Sequence, residues 1–352
     1  MSKNPYSDLP RSAFWKTAVA QENPNSIAGI YTKKFEIPPK SKIATAGSCF
    51  AQHISRRLKK NGYNVLDVEP PPPSLPGDLH QKFGFSMYSA RYGNIYTVRQ
   101  LMQLAQEVAG EWTPQNYIWE RDGKFFDALR PAVEPQGLGS VEEVQCHRQF
   151  HISRVKELFQ SFDVFIFTLG LTEMWVDKKS GTVYPTAPGV LAGEFDEDYF
   201  EFQNPNFRSI NRDMRDFVKV IMRIRKDKKF KMILTVSPVP LTATASGKHV
   251  LSSTIYSKSV LRAIAGHWAE KSFVDYFPSY EIVTNPRMHS TGFSDNLRSV
   301  RNETVEVVMK HFFASHSIVK SSKNLSLGSI DNVQDDADGV ECEEELLEAF
   351  GR

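Results

Sequence analysis

Cysteine is scarce in this 352-residue chain: Cys49, Cys146 and Cys342 are the three, far apart and with no CxxC pair. An odd, scattered set argues against a disulfide framework and against a zinc site, and it suits a reducing compartment. An excess of one charge is missing too. The formal net charge is +2, from 43 Lys and Arg against 41 Asp and Glu. A surface that tracks nucleic-acid phosphates usually unbalances a whole domain, so nucleic-acid binding is not the expected task. No apolar run approaches the roughly 20 residues of a membrane span. No apolar stretch follows Met1-Ser2-Lys3-Asn4-Pro5, so neither a transmembrane segment nor a secretory signal is expected, and the location expected is cytoplasmic.

What the chain does have is core-forming material: 41% hydrophobic residues, 24 of them Phe. Five short apolar runs are separated by helix-like stretches: Ile43–Ala46, Tyr63–Val68, Val164–Leu169, Met232–Val236 and a weaker one within Phe273–Val283. Continuous apolar runs of this length fit strands buried on both faces, and their alternation with helices predicts βαβ units, an α/β fold with a mostly parallel sheet. Helices are predicted over 49–60, 212–227, 256–271 and 302–314. Basic residues end the first, with Gly62 as its stop. Pro70–Pro76 reads as an extended loop. Residues 111–147 read as an insertion capping the strand ends, with a hairpin turning at Asp122-Gly123. The expected organisation is a domain over 1–315, a linker over 316–330 and an acidic tail over 331–352. The tail ends in a short amphipathic helix whose Leu346, Leu347 and Phe350 suit either a solvated end or docking into a groove of a partner protein.

Gly47-Ser48-Cys49 directly follows the first buried strand and opens a helix. Open α/β sheets bind ligands at the carboxyl ends of their strands. Glycine permits a tight turn there, and a nucleophile in the first helical turn meets unpaired N–H groups and the positive end of the helix dipole. That setting lowers a thiol's pKa and holds an oxyanion. Residue types alone also allow a plainer reading, with Ser48 as a cap and Cys49 as a small buried residue.

Gly47-Ser48-Cys49-Phe50-Ala51-Gln52-His53-Ile54 resembles the signature of the GSCFA family, over roughly residues 5–315. That family is similar to the SGNH/GDSL hydrolases, serine esterases and acyltransferases on a flavodoxin-like sheet. The resemblance implies five strands in the order 2-1-3-4-5, counting the runs along the chain, with helices on both faces. The first block of the SGNH pattern falls on Gly47-Ser48-Cys49, with Cys49 in the nucleophile position; a one-residue shift makes Ser48 the nucleophile. The second block's oxyanion donor resembles Gly93, with Asn94 as a further donor, in what is otherwise an ordinary turn before a helix near Thr97. The third block resembles Gly170-Leu171-Thr172-Glu173. Thr172 stands for the oxyanion-binding Asn, whose loss typically costs about 100- to 1,000-fold in rate, and Glu173 brings a carboxylate to the strand end. The fifth block, Asp-x-x-His, reads Asp295-Asn296-Leu297-Arg298. Arginine holds its proton near neutral pH and is no general base. The replacement candidates are His249, His53 and His289, in that order, each of which also fits a structural role. Arg298 suits a carboxylate or phosphate of the substrate, or an ion pair with Glu173 or Asp295. Tyr256-Ser257-Lys258-Ser259, read as opening a helix, suits an anion at its N-terminus or a simple cap.

The function implied is an esterase or O-acyltransferase acting on a carbohydrate or glycoconjugate, its substrate a small-molecule or carbohydrate ester. No cofactor is required, and acyl-CoA is the co-substrate if the enzyme is a transferase. The missing histidine keeps a second class open, a non-catalytic module binding an anionic ligand on the same scaffold.

Overall fold

The computed structural model describes residues 4–23, 25, 27–288, 291–316 and 343–351. Its centre is a four-stranded, wholly parallel sheet in the order β1-β4-β8-β9, formed by β1 (Ile43–Gly47), β4 (Val164–Leu169), β8 (Lys231–Val236) and β9 (Val274–Tyr276). Alternate side chains go to opposite faces of a strand. Ile43, Val164, Ile166 and Ile233 pack with Phe50, Ile54 and Leu58 of α1 (Phe50–Lys60) and with Val305, Val308 and Phe312 of α7 (Asn302–Ser315). Ala44, Ala46, Phe165, Phe167, Met232 and Leu234 pack on the other face. Their partners there are α2 (Val98–Val108), α3 (Val141–Ser161), α4 (Phe207–Ile224) and α5 (Val250–Ala269). Helices therefore cover both faces, as the uninterrupted apolar runs require. A short helix α6 (Ser279–Thr284) follows β9.

The expected fifth strand is not there. The run Tyr63–Val68 makes a single parallel bridge, Val65 to Ile43. Beyond it the outer edge of β1 is satisfied by a loop: Thr45 N donates to Ser89 Oγ at 2.9 Å, and Ile95 N donates to Gly47 O at 2.9 Å. Once those edge groups are bonded, a regular strand has nothing left to pair with. The four strands that do form keep the mutual order expected for them.

The hairpin is as predicted, β2 (Ile118–Arg121) and β3 (Lys124–Asp127), with Asp122 and Gly123 both at positive φ, 54° and 71°. The sequence reading missed α3, which begins inside the stretch taken as insertion. It also missed a three-stranded antiparallel sheet, β6-β5-β7, of β5 (Met174–Asp177), β6 (Val183–Tyr184) and β7 (Phe200–Gln203). This sheet leaves the end of β4 directly. The hairpin packs behind it, with the Trp119 and Tyr184 ring centroids 5.1 Å apart. The strands outside the central sheet thus come from 174–203 as well as from the 111–147 segment. α5 begins at Val250, ahead of the predicted start, so Tyr256-Ser257-Lys258-Ser259 lies inside the helix and offers no free N-terminal amides. Of the linker expected over 316–330, His316 is instead the buried C-cap of α7, while 317–330 and most of the acidic tail lie outside the described residues; Glu343–Phe350 forms a short 3-10 helix.

Candidate active site

The elbow after β1 is held open to nothing but its own neighbours. Gly47 has φ +143°, and a Cβ on it would lie 2.5 Å from Thr168 O, so only glycine fits beside β4 there. Ser48 and Cys49 then lead into α1, exposed by 3% and 6%. Ser48 Oγ is buried with no hydrogen-bond partner among the described residues. The Cys49 side chain packs with Tyr96, Leu171 and Leu241.

Three of the segments expected to form the site do meet. A Cβ added to Gly170 would lie 2.9 Å from Ser48 Cβ and 3.0 Å from Tyr96 O, so the glycine that ends β4 is wedged between the elbow and the loop 93–96. That loop is pinned by Ile95 N to Gly47 O at 2.9 Å and by the amides of Gly170 and Leu171, both 3.1 Å from Tyr96 O. Gly93 takes φ +65° in the turn that delivers it. Asn94 is buried, and its Oδ1 accepts from Tyr88 OH.

Other expected residues sit in different roles. The Thr172 hydroxyl donates to Asn204 Oδ1 at 2.6 Å, which commits its proton, and its amide donates to Ser257 Oγ at 3.0 Å. His249 is exposed and caps α5, its Nδ1 accepting from Leu251 N at 3.2 Å, while the next residue, Val250, packs on the Cys49 cluster. His53 is buried one turn along α1, its ring 5.9 Å from that of Phe50. His289 lies outside the described residues. Asp295 is fully solvent-exposed, 3.5 Å from Arg301. Arg298 is buried, its amide donating to Asn296 Oδ1.

Glu173 is the carboxylate the fold brings to the cleft. It is 7% exposed, and its Oε1 accepts from Thr244 Oγ1 at 2.8 Å. Burial pushes its pKa above the ordinary value, and the Thr244 bond opposes that only in part. It lines a cavity of about 200 Å³ together with Leu171, Trp175, Leu241 and Thr244. Leu171 and Leu241 also touch Cys49, so the cavity and the elbow share a wall.

Two participants escaped the sequence reading. Lys258 is 3% exposed, and its Nζ donates to Gly170 O at 2.6 Å, so it holds the carbonyl of the glycine wedged against Ser48. Its motif is expected at the start of a helix, whereas α5 begins at Val250. Asn204, after β7, carried no local signal at all. Among the described residues no group of three or more His, Cys, Asp or Glu is placed to hold a metal, and no helix is long and apolar enough to cross a membrane.

A parallel sheet flanked on both faces, with a glycine elbow at the strands' carboxyl ends, defines an α/β protein, and that edge is where open sheets of this kind bind ligands. The chain belongs to the GSCFA family: the family model matches residues 42–312, which span the sheet and every segment of the site described above. No curated protein and no solved structure matches it.

Proposed function

We propose that this chain is an acyl-group enzyme, cleaving or transferring an ester through Cys49. The observation that carries the reading is the wedge of Gly170 between Ser48 and Tyr96. It joins the elbow, the 93–96 loop and the end of β4 beside a cavity that holds a carboxyl of raised pKa. In this reading the Glu173 carboxylate takes the Cys49 thiol proton as Sγ attacks the acyl carbon, and the developing oxyanion faces the positive end of α1. The tetrahedral intermediate collapses, the alkoxide leaves with a proton from Glu173, and a thioester remains on Cys49. Water or an acceptor hydroxyl then attacks the thioester, giving its proton to Glu173, which passes it to the departing Cys49 sulfur. Ser48 is the alternative nucleophile, and Lys258 holds the Gly170 carbonyl that buttresses it. Substrates of the expected class are carbohydrate or small-molecule esters, with acyl-CoA as donor for a transferase and the cytoplasm as the place of action. Because Leu171 and Leu241 cover Cys49, turnover requires one of them to move aside.

The test is p-nitrophenyl acetate hydrolysis alongside labelling with iodoacetamide and a fluorophosphonate, mapped by peptide mass spectrometry. Label at residue 49 or 48 and loss of turnover of about 100-fold or more in Cys49→Ala are expected. Intact ester after long incubation, with neither residue labelled, rejects the reading. The arginine in the expected histidine's place supports a second one, a binding module for an anionic ligand with Arg298 recognising it. It requires that Cys49→Ala bind such a ligand unchanged while Arg298→Ala binds it more weakly.

A further inference from the structure

The cavity beside Glu173 has an occupant at its mouth from the chain itself. Leu347, in the 3-10 helix Glu343–Phe350, lines it together with Leu171, Trp175, Leu241 and Thr244. The neighbouring apolar residues of the same short helix do not share in this. Leu346 is 45% exposed and Phe350 is 66% exposed, while Leu347 is half-buried. A helix whose apolar residues merely clustered by composition would not turn the middle one inward.

We propose that Leu347 is an internal competitor for the cleft, and that the cleft's ligand carries a short, branched aliphatic group in the position Leu347 takes. The cavity wall is aliphatic and aromatic apart from Glu173 and a few hydroxyls such as Thr244. The cavity keeps about 200 Å³ with Leu347 in place, and withdrawing that side chain adds at its mouth the room of one leucine, which suits a compact group there rather than a long chain. The leucine side chain supplies the template: four carbons, branched, without polar atoms. Because Leu171 and Leu241 form a wall common to this cavity and to Cys49, a group seated here brings its attached carbonyl toward the elbow. A bound tail therefore keeps ligand out, and its release opens the cleft. The identity of the ligand group rests on the acyl-group reading; the docking of Leu347 does not.

The experiment uses the full chain, as wild type, Leu347→Asp and, as a control one residue away, Leu346→Asp. Hydrogen exchange by mass spectrometry reports on residues 171–175 and 241–246, and calorimetric titration with isovalerate and with acetate reports on the cavity. Leu347→Asp is expected to speed exchange in both stretches and to raise isovalerate affinity about fivefold, from the loss of one partly buried leucine. Leu346→Asp is expected to change neither, and acetate is expected to bind more weakly than isovalerate throughout. Unchanged exchange and affinity in Leu347→Asp overturn the competitor. Exchange protection that depends on protein concentration overturns its intramolecular form and assigns the contact to a second copy. Hydrolysis of p-nitrophenyl isovalerate, measured in parallel, separates the two ideas. Faster exchange and tighter isovalerate binding without turnover leave the competitor standing and remove the acyl-group reading. Turnover with no response to Leu347→Asp does the reverse.

Discussion

Three glycines allow the steric argument for the elbow to be measured as a graded series of Gly→Ala substitutions in the full chain. Gly62 has φ +79° and open space where a Cβ would go, so alanine there meets only the left-handed backbone penalty, about 1–2 kcal/mol. Gly170 is the converse. Its φ is not in the positive range, so alanine is conformationally allowed, and the whole effect comes from a methyl placed 2.9 Å from Ser48 Cβ and 3.0 Å from Tyr96 O. Neither of those atoms is the free end of a flexible side chain, so something must shift, at the roughly 1–3 kcal/mol typical of overpacking. Gly47 combines both, φ +143° with a Cβ 2.5 Å from Thr168 O, and the two contributions together come to roughly 2–5 kcal/mol. Urea unfolding followed by circular dichroism gives the three values. Alkylation of Cys49, read by peptide mass spectrometry, gives the local consequence. Gly170→Ala is expected to alter the Cys49 labelling rate, and Gly62→Ala to leave it alone. A Gly170→Ala protein as stable as wild type, with unchanged labelling, would show that the elbow and the 93–96 loop are not wedged together, and the site built on that wedge would fall with it.

Asp127 lies between Arg148 and Arg130; burial alone raises its pKa, but the two guanidiniums outweigh this and bring it down to about 2. Its folded value lies below the unfolded one, so its contribution, about 2 kcal/mol, is full above pH 4 and is lost as pH falls toward 2. Asp127→Asn, which leaves the buried Arg148 with Glu107 alone, is expected to lower stability by about 3–5 kcal/mol in urea titrations at pH 7. His151 is hydrogen-bonded to Glu69 at 2.8 Å, and burial first, then Arg130, hold its pKa down at about 4. It folds as a neutral imidazole, so stability is full above about pH 6.5 and declines as pH drops from there to 4, and His151→Gln should flatten that decline. Thr244→Val removes the bond that holds the Glu173 pKa down, so the acid limb of any pH–rate profile should move to higher pH; an unmoved limb takes Glu173 out of the proton traffic. Lys258→Met leaves the Gly170 carbonyl without that donor, a loss of about 1–3 kcal/mol in urea unfolding.

Much of the framework was legible because it is local. An apolar run buried on both faces announces a parallel strand, and β1, β4, β8 and β9 were all visible that way. Asp122-Gly123 announced its hairpin through backbone preference alone. The Gly47-Ser48-Cys49 turn was legible because a glycine between a strand and a helix has few other uses. The same local signals misled where an edge was concerned. Tyr63–Val68 reads as a strand, and nothing within it says that Ser89 will take the hydrogen bonds of Thr45.

Residue chemistry and periodicity, then, settled the class of fold and the position of the elbow, since each follows from interactions within a few residues of the chain, whereas the order of the strands was expected only from the family resemblance. Which side chains surround that elbow was settled by packing over long separations. Lys258 reaches Gly170 across 88 residues, Thr244 reaches Glu173 across 71, and Leu347 arrives from the far end of the chain. Such partners are chosen by the shape and unmet polar groups of the assembled cleft, which do not exist until the chain has folded.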